Sequence, residues 1–194
     1  MKESHRPRIS VVIGSTRPVR IGDQLAAEMA QEISSVSESD VRILDLREIG
    51  LPLLDEPVMA ALHQYAHDHT QAWSREILES DAIVFVTPQY NAGYPASLKN
   101  AIDYLYDEWN GRPAAIVSYG GRGGGMSARQ LAEVLRFVKT DLIDEQPQLT
   151  IAREDYTAAG VLGNPEAVVE RYSAEIRSMA RALDARARAF AAQR

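Results

Sequence analysis

Cysteine is absent from all 194 residues. That excludes disulfides, thiolate metal sites, iron–sulfur clusters and cysteine nucleophiles. Nowhere does the sequence approach the run of about 18–20 apolar residues that a membrane-spanning helix needs, so no membrane partner is expected. The start, Met1 to Arg8, is polar and charged and lacks the apolar stretch and small-residue cleavage site of a secretory signal. A soluble cytoplasmic protein is therefore the expectation. Basic residues are outnumbered, 21 Lys and Arg against 27 Asp and Glu, for a net charge of −6. An acidic balance suits general nucleic-acid binding poorly, although it leaves local basic patches open. Internal repeats and low-complexity stretches are missing too. What is present is 45% apolar and 25% charged, the balance of an ordinary globular protein, and the length suits one domain over 1–194.

Short β-branched runs alternate with helical spacing. Ile9 to Ile13 (ISVVI) reads as a strand buried on both faces, as a parallel sheet requires. Asp23 to Ile33 carries Leu25, Ala26, Met29, Ala30 and Ile33 at helical spacing. Val41 to Leu44 is a weaker strand, and Tyr65 to Glu79 a helix. Ala82 to Val86 (AIVFV) is the clearest strand, ended by Thr87 and Pro88. Pro95 and Ser97 open a helix through Leu98, Ile102 and Leu105, stopped by Asn110 and Gly111. Ala114 to Val117 is a fourth strand, followed by a helix from Ser127 to about Val138. Gln148 to Ile151 is the fifth, and Pro165 starts a terminal helix to about Ala192. This pattern predicts an α/β fold: a five-stranded parallel sheet in the flavodoxin-like order 2-1-3-4-5, a three-layer sandwich with helices on both faces.

Ligands of such sheets bind beyond the carboxyl ends of the strands where strand order reverses. The loops leaving strands 1, 3 and 4 are therefore the ones to inspect. The first, Gly14 to Gly22, offers two hydroxyls, two guanidinium groups and the free N–H groups of the coming helix, a set suited to a phosphate. An ordinary helix start with solvent-facing arginines is the alternative, but two arginines at a helix N-terminus oppose its dipole unless an anion is present. The sequence is not a P-loop. The second loop, Thr87 to Pro95, holds two tyrosines, an amide and a rigid proline. That suits the face and pyrimidine edge of an isoalloxazine, and it equally suits a structural turn with inward tyrosines. The third, Ser118 to Met126, is glycine-rich, so main chain can approach a ligand closely or act as a flexible turn. It misses the dinucleotide fingerprint, since Met126 stands where the third glycine belongs.

Together, Gly14-Ser15-Thr16-Arg17, Thr87-Pro88-Gln89-Tyr90-Asn91 through Tyr94-Pro95-Ala96-Ser97-Leu98-Lys99-Asn100-Ala101, and Ser118-Tyr119-Gly120-Gly121 resemble the NAD(P)H-dependent FMN reductase family, which includes flavodoxin-like quinone, azo-dye and chromate reductases. The resemblance runs from Ile9 to about Val138, and the strand-3 motif is its most specific part. It implies bound FMN, NAD(P)H as co-substrate and a small-molecule electron acceptor. Ser15, Arg17, Arg20 and the backbone around Ile21 would hold the phosphate. Pro88, Gln89, Tyr90 and Asn91 would line ribityl and ring, and Ser118, Tyr119, Gly120 and Gly121 would meet the ring from the other loop. Relatives are usually homodimers, so a homodimer or a dimer of dimers is implied, with Leu51 to Asp55 similar to a loop near the dimer contact. Many members carry Ser and Asn where this chain has Arg20 and Gly22, and Glu where Gln89 stands.

In such a reaction the cofactor carries the chemistry, so no catalytic side chain is assigned. A flavodoxin-like electron carrier is one alternative, although carriers hold FMN phosphate in a hydroxyl-rich loop without arginine. An FMN-binding partner module without NAD(P)H turnover is the other. His63, His67 and His69, the first two facing one way at i, i+4, raise a metal site, but no HExxH pattern accompanies them and surface histidines are the preferred reading. Arginines 171, 177, 181, 186 and 188 interleave with Glu170, Glu175 and Asp184, which reads as a solvated amphipathic face.

Overall fold

The computed structural model describes residues 6–193, so most of the polar Met1–Arg8 start lies outside the described residues. The strands are β1 (Arg8–Ile13), β2 (Asp40–Asp45), β3 (Ala82–Pro88), β4 (Pro113–Gly120), β5 (Asp141–Leu142) and β6 (Gln148–Thr150). The helices are α1 (Gly22–Val36), α2 (Leu46–Ile49), α3 (Asp68–Leu78), α4 (Ala96–Asp103), α5 (Gly125–Phe137), α6 (Pro165–Glu170) and α7 (Ser173–Ala191). All strands pair in parallel, in the order β2-β1-β3-β4-β5, with β6 also on β4. The sequence-predicted order therefore holds, with one addition. β5 lies against Pro113 and Ala114 at the start of β4, while β6 lies against Ser118 to Gly120 at its end. The fifth position is thus filled by two fragments, and the sheet has six strands.

Alternation along the central strands sorts the core into two layers. Val11 and Ile13 of β1, Val84 and Val86 of β3, and Val117 of β4 face α1, α6 and α7 through Leu25, Met29, Ile33, Ile176, Met179 and Leu183. Val12, Ile83, Phe85 and Ile116 face the opposite way onto α3, α4 and α5 through Trp73, Ile77, Leu98, Ile102, Leu131 and Leu135. Every residue of β3 is buried, as a strand covered on both faces must be.

Three expectations need correction. The terminal helix is two helices. Pro165 leads α6 with the Asn164 side chain accepting from the Ala167 N–H at 3.0 Å, and the chain then breaks at Arg171 and Tyr172. Arg171 reaches Asp155, and the Tyr172 hydroxyl exchanges hydrogen bonds with both backbone groups of Thr150. Second, Asp184 of α7 is not on a solvated face. It is buried and accepts from the Ser39 N–H and hydroxyl and the Glu38 N–H. Third, α4 ends at Asp103 instead of running to Asn110, because the next residues form a separate single turn, Asp107–Trp109. Among the described residues no helix is long and apolar enough to cross a membrane.

Candidate functional site

The β1–α1 loop begins under β3: the Gly14 N–H donates to Val86 O at 2.9 Å, and the Ser97 hydroxyl of α4 donates to Gly14 O at 2.6 Å. Ser15 is fully buried and shares a 2.7 Å hydrogen bond with the Tyr90 hydroxyl, joining the first loop to the second. The two arginines then part company. Arg20 is turned inward: its guanidinium forks onto both carboxylate oxygens of Asp45 at the end of β2, and Nη1 also donates to Ser15 O at 2.7 Å. Its side chain is only 6% exposed. Arg17 instead lies over the Tyr90 ring, 5.8 Å from its centroid, and has no carboxylate within 4.0 Å among the described residues. α1 then starts at Gly22, its N-cap residue Ile21 offering no side-chain cap, and the Gln24 N–H donates to Asp23 Oδ1 at 3.0 Å. A 15-residue helix thus points its first N–H groups, those of Gly22 and Asp23, and the positive end of its dipole at this loop.

The second loop is built on a tight turn. Tyr90 and Gly93 exchange backbone hydrogen bonds of 2.8 and 2.9 Å, with Asn91 and Ala92 between them at φ 48° and 70°. Two left-handed residues in succession give the primed turn that reverses a chain in two residues. It holds Tyr90 over Ser15. Gln89 reaches across to α5, where Oε1 accepts from the Met126 N–H at 3.1 Å. An amide oxygen therefore caps the helix that follows the third loop.

That third loop folds back on its own strand. The Ser118 hydroxyl donates to Gly123 O at 2.7 Å, and Gly124 at φ 77° sits where a Cβ would lie 2.9 Å from both Tyr119 N and O. Only glycine fits there. Tyr119 itself is buried, and its hydroxyl lies 2.6 Å from the position a Cβ on Gly22 would occupy. Burial pushes this phenol well above its ordinary pKa, so it stays protonated at neutral pH.

The three loops enclose a cleft of about 320 Å³ at the carboxyl ends of β1, β3 and β4. Arg17, Arg20 and Ile21, then Pro88, Gln89 and Tyr90, then Tyr119, Gly120 and Gly121 reach its walls. Ser15, Asn91 and Ser118 do not, and their contacts shape the loops behind it. Sequence reasoning missed Val19, Tyr156 and Gly160, which also line it. The last two come from a strap after β6, whose only sequence signal is the Thr157 to Gly163 run of small and turn-forming residues. The three histidines do not form one cluster: His63 pairs with Asp107 at 2.7 Å, while His67 and His69 stack and both meet Asp55, His67 Nε2 at its carbonyl at 3.2 Å and His69 Nε2 at its carboxylate at 2.9 Å.

The model of the NADPH-dependent FMN reductase family matches residues 7–152. An NAD(P)H-dependent FMN reductase of Schizosaccharomyces pombe is 43% identical over 150 residues, covering 76% of this chain and 75% of that one. One from Saccharomyces cerevisiae is 44% identical over 147 residues, covering 70% and 77%. A quinone reductase of Pseudomonas putida is 36% identical over 136 residues, covering 63% and 67%. Among solved structures, a flavoenzyme NAD(P)H:(acceptor) oxidoreductase of Paracoccus denitrificans superposes with a TM-score of 0.71 at 23% identity, covering 92% of this chain and 98% of that one.

Proposed function

The chain belongs to the NADPH-dependent FMN reductase family, and from that membership we propose that it acts as one FMN-binding domain serving a small acceptor such as a quinone, an azo compound or a free flavin. It is an NAD(P)H-dependent oxidoreductase with FMN as its cofactor. The observation that carries the fuller reading is the meeting, in one cleft at the strand-order reversal, of a guanidinium without a carboxylate, an uncapped helix end and a glycine bend.

The residues fit the group. Arg17 and the leading N–H groups of α1 supply charge and donors for a phosphate ester. Pro88 and Tyr90 give flat walls, and the main chain at Gly120 and Gly121 approaches without side chains in the way. Bound FMN supplies the hydride-accepting and electron-passing chemistry, and the protein orients it and limits access. Arg20 acts one layer back: by forking onto Asp45 it fixes Ser15 O and hence the shape of the phosphate loop. No side-chain nucleophile is assigned. Donor and acceptor use the same open side of the cleft in turn, which gives ping-pong kinetics.

The proposal includes a homodimer or a dimer of dimers. A hollow of about 620 Å³ lies between α4, α5 and the segment 54–61, with Leu54, Met59 and Phe137 in its lining 48%, 71% and 77% exposed. An apolar patch of this kind marks an interaction face, and a second copy of the chain is the occupant proposed. The reading places the protein in the cytoplasm, where nicotinamide nucleotides supply the reducing equivalents. The test is to purify the protein, record its visible spectrum and follow anaerobic bleaching by NADH and by NADPH. A flavin spectrum bleached by either nucleotide is the expected result. Colourless protein that takes up no added FMN overturns the reading.

A further inference from the structure

With Arg20 committed to Asp45, the anion end of the cleft holds, among the described residues, one guanidinium, that of Arg17, against the roughly −2 charge of a phosphate monoester. Further donors must come from elsewhere. The segment after β6 supplies one. It leaves the sheet at Ile151, whose N–H donates to Gly120 O at 2.9 Å, crosses the end of β4, and returns through a bridge between Tyr156 and Leu162. It is anchored at both margins. The Leu162 N–H donates to Gln24 Oε1 at 2.9 Å and Gln24 Nε2 donates to Leu162 O at 3.2 Å, fastening the strap to the first turn of α1. Asp155 is the other anchor: its carboxylate takes a bidentate grip from Arg171 at 2.9 and 2.7 Å and accepts from the Ala152 N–H at 2.8 Å, while its carbonyl accepts from the Gly163 N–H at 2.9 Å.

This scaffold sets Tyr156 into the cleft that Arg17 and Tyr90 also line. Tyr156 is 40% exposed, and its hydroxyl has no hydrogen-bond partner among the described residues. Burial, with Asp155 next in size, raises the phenol above its ordinary pKa, so at neutral pH it is a donor and not an acceptor anion. Tyr156 also lies beyond the residues 7–152 matched by the family model.

We propose that the 153–163 strap is a cofactor clamp, in which Tyr156 donates its hydroxyl to the phosphate end of the flavin nucleotide opposite Arg17 and fences that end from solvent. The inference rests on the FMN reading of the cleft. The prebuilt strap means that little ordering is needed on binding, which favours affinity.

The experiment is a pair of fluorescence-quenching titrations, with FMN and with riboflavin, on wild type, Tyr156→Phe, Arg171→Gln and the double variant. Tyr156→Phe should weaken FMN about tenfold, the worth of one hydrogen bond to a charged group, and leave riboflavin unchanged. Arg171→Gln frees Asp155 and should weaken FMN in the parent but add little to Tyr156→Phe, since both act through one contact. The unfolding midpoint of Tyr156→Phe should equal that of wild type, because the lost hydroxyl has no hydrogen-bond partner among the described residues. An FMN affinity within about twofold of wild type in Tyr156→Phe, or a parallel loss for riboflavin, overturns the clamp while leaving the FMN reading intact. Wild-type protein that binds no FMN overturns that reading and the clamp with it.

Discussion

At the α1 entrance, Gly22 and Tyr119 function as a pair. A methyl group on residue 22 would stand 2.6 Å from the Tyr119 hydroxyl and 3.4 Å from the ring carbon that bears it. Gly22→Ala should therefore destabilise the fold by about 1–3 kcal/mol, as overfilled cores do, and Tyr119→Phe should restore most of the loss. A double-mutant cycle by urea denaturation measures this, and additivity of the two changes would refute the pairing. The two arginines of the same loop separate in the opposite way. Arg17→Ala should cost about 1–3 kcal/mol of FMN affinity in a quenching titration through loss of a charged hydrogen bond. Arg20→Ala should lower stability by about 2–3 kcal/mol, because it leaves the Asp45 carboxylate, whose side chain is only 10% exposed, with the Arg47 N–H at 2.9 Å but no counter-charge among the described residues. The sequence displays both arginines in one loop, and nothing local tells them apart. What divides them is Asp45, brought to the loop by the parallel register of β2 on β1, and tertiary pairing of that kind leaves no mark on spacing or composition.

Among the elements, the long apolar runs are the legible ones. β1, β3 and β4 are continuous and buried on both faces, so their composition alone distinguishes them. The two-residue strand β5 is too short to carry a period, whereas β6 falls inside the expected Gln148 to Ile151 strand. The break between α6 and α7 is invisible for a different reason. Glu170 to Ser173 contains no proline or glycine, and the helix is interrupted because Arg171 and Tyr172 make better bonds outside it. The charge pattern of α7 misleads in the same way. Arg177 and Arg186 do pair at the surface, with Glu32 and Asp141, but Asp184 ties α7 to the turn before β2 through Ser39. Asp184→Ala should cost about 2–3 kcal/mol by leaving the Ser39 hydroxyl and N–H unpaired, a fall of roughly 5–10 °C in Tm for a chain of this size. Glu175→Ala, on an exposed stretch of the same helix, should change Tm by under about 2 °C. Equal effects in a thermal scan would return Asp184 to the surface. The 153–163 strap adds a dependence on acidity. Arg171 holds the Asp155 carboxyl below the usual range, so its anchoring is in force above the ordinary carboxylate pKa and is lost as pH falls through the lowered value.

For the molecule as a whole, strand order fixes where the site must be, and that much follows from the alternation of strands and helices. The exposed patch around Leu54, Met59 and Phe137 is a matter of shape that composition does not reveal. Phe137→Asp, at a side chain 77% exposed, should leave folding intact and convert the proposed dimer to monomers by light scattering. A wild-type mass of one chain at micromolar concentration would end the dimer reading. The opposite flank of the sheet is finished differently. Along the outer side of β4 the neighbour is interrupted after Leu142 and resumes only at Gln148, and both outward amide groups of Thr150 are consumed by the phenol of Tyr172. A stray extended segment thus meets no unbroken ladder on which to add itself. Strand-by-strand growth from this rim is disfavoured by the architecture.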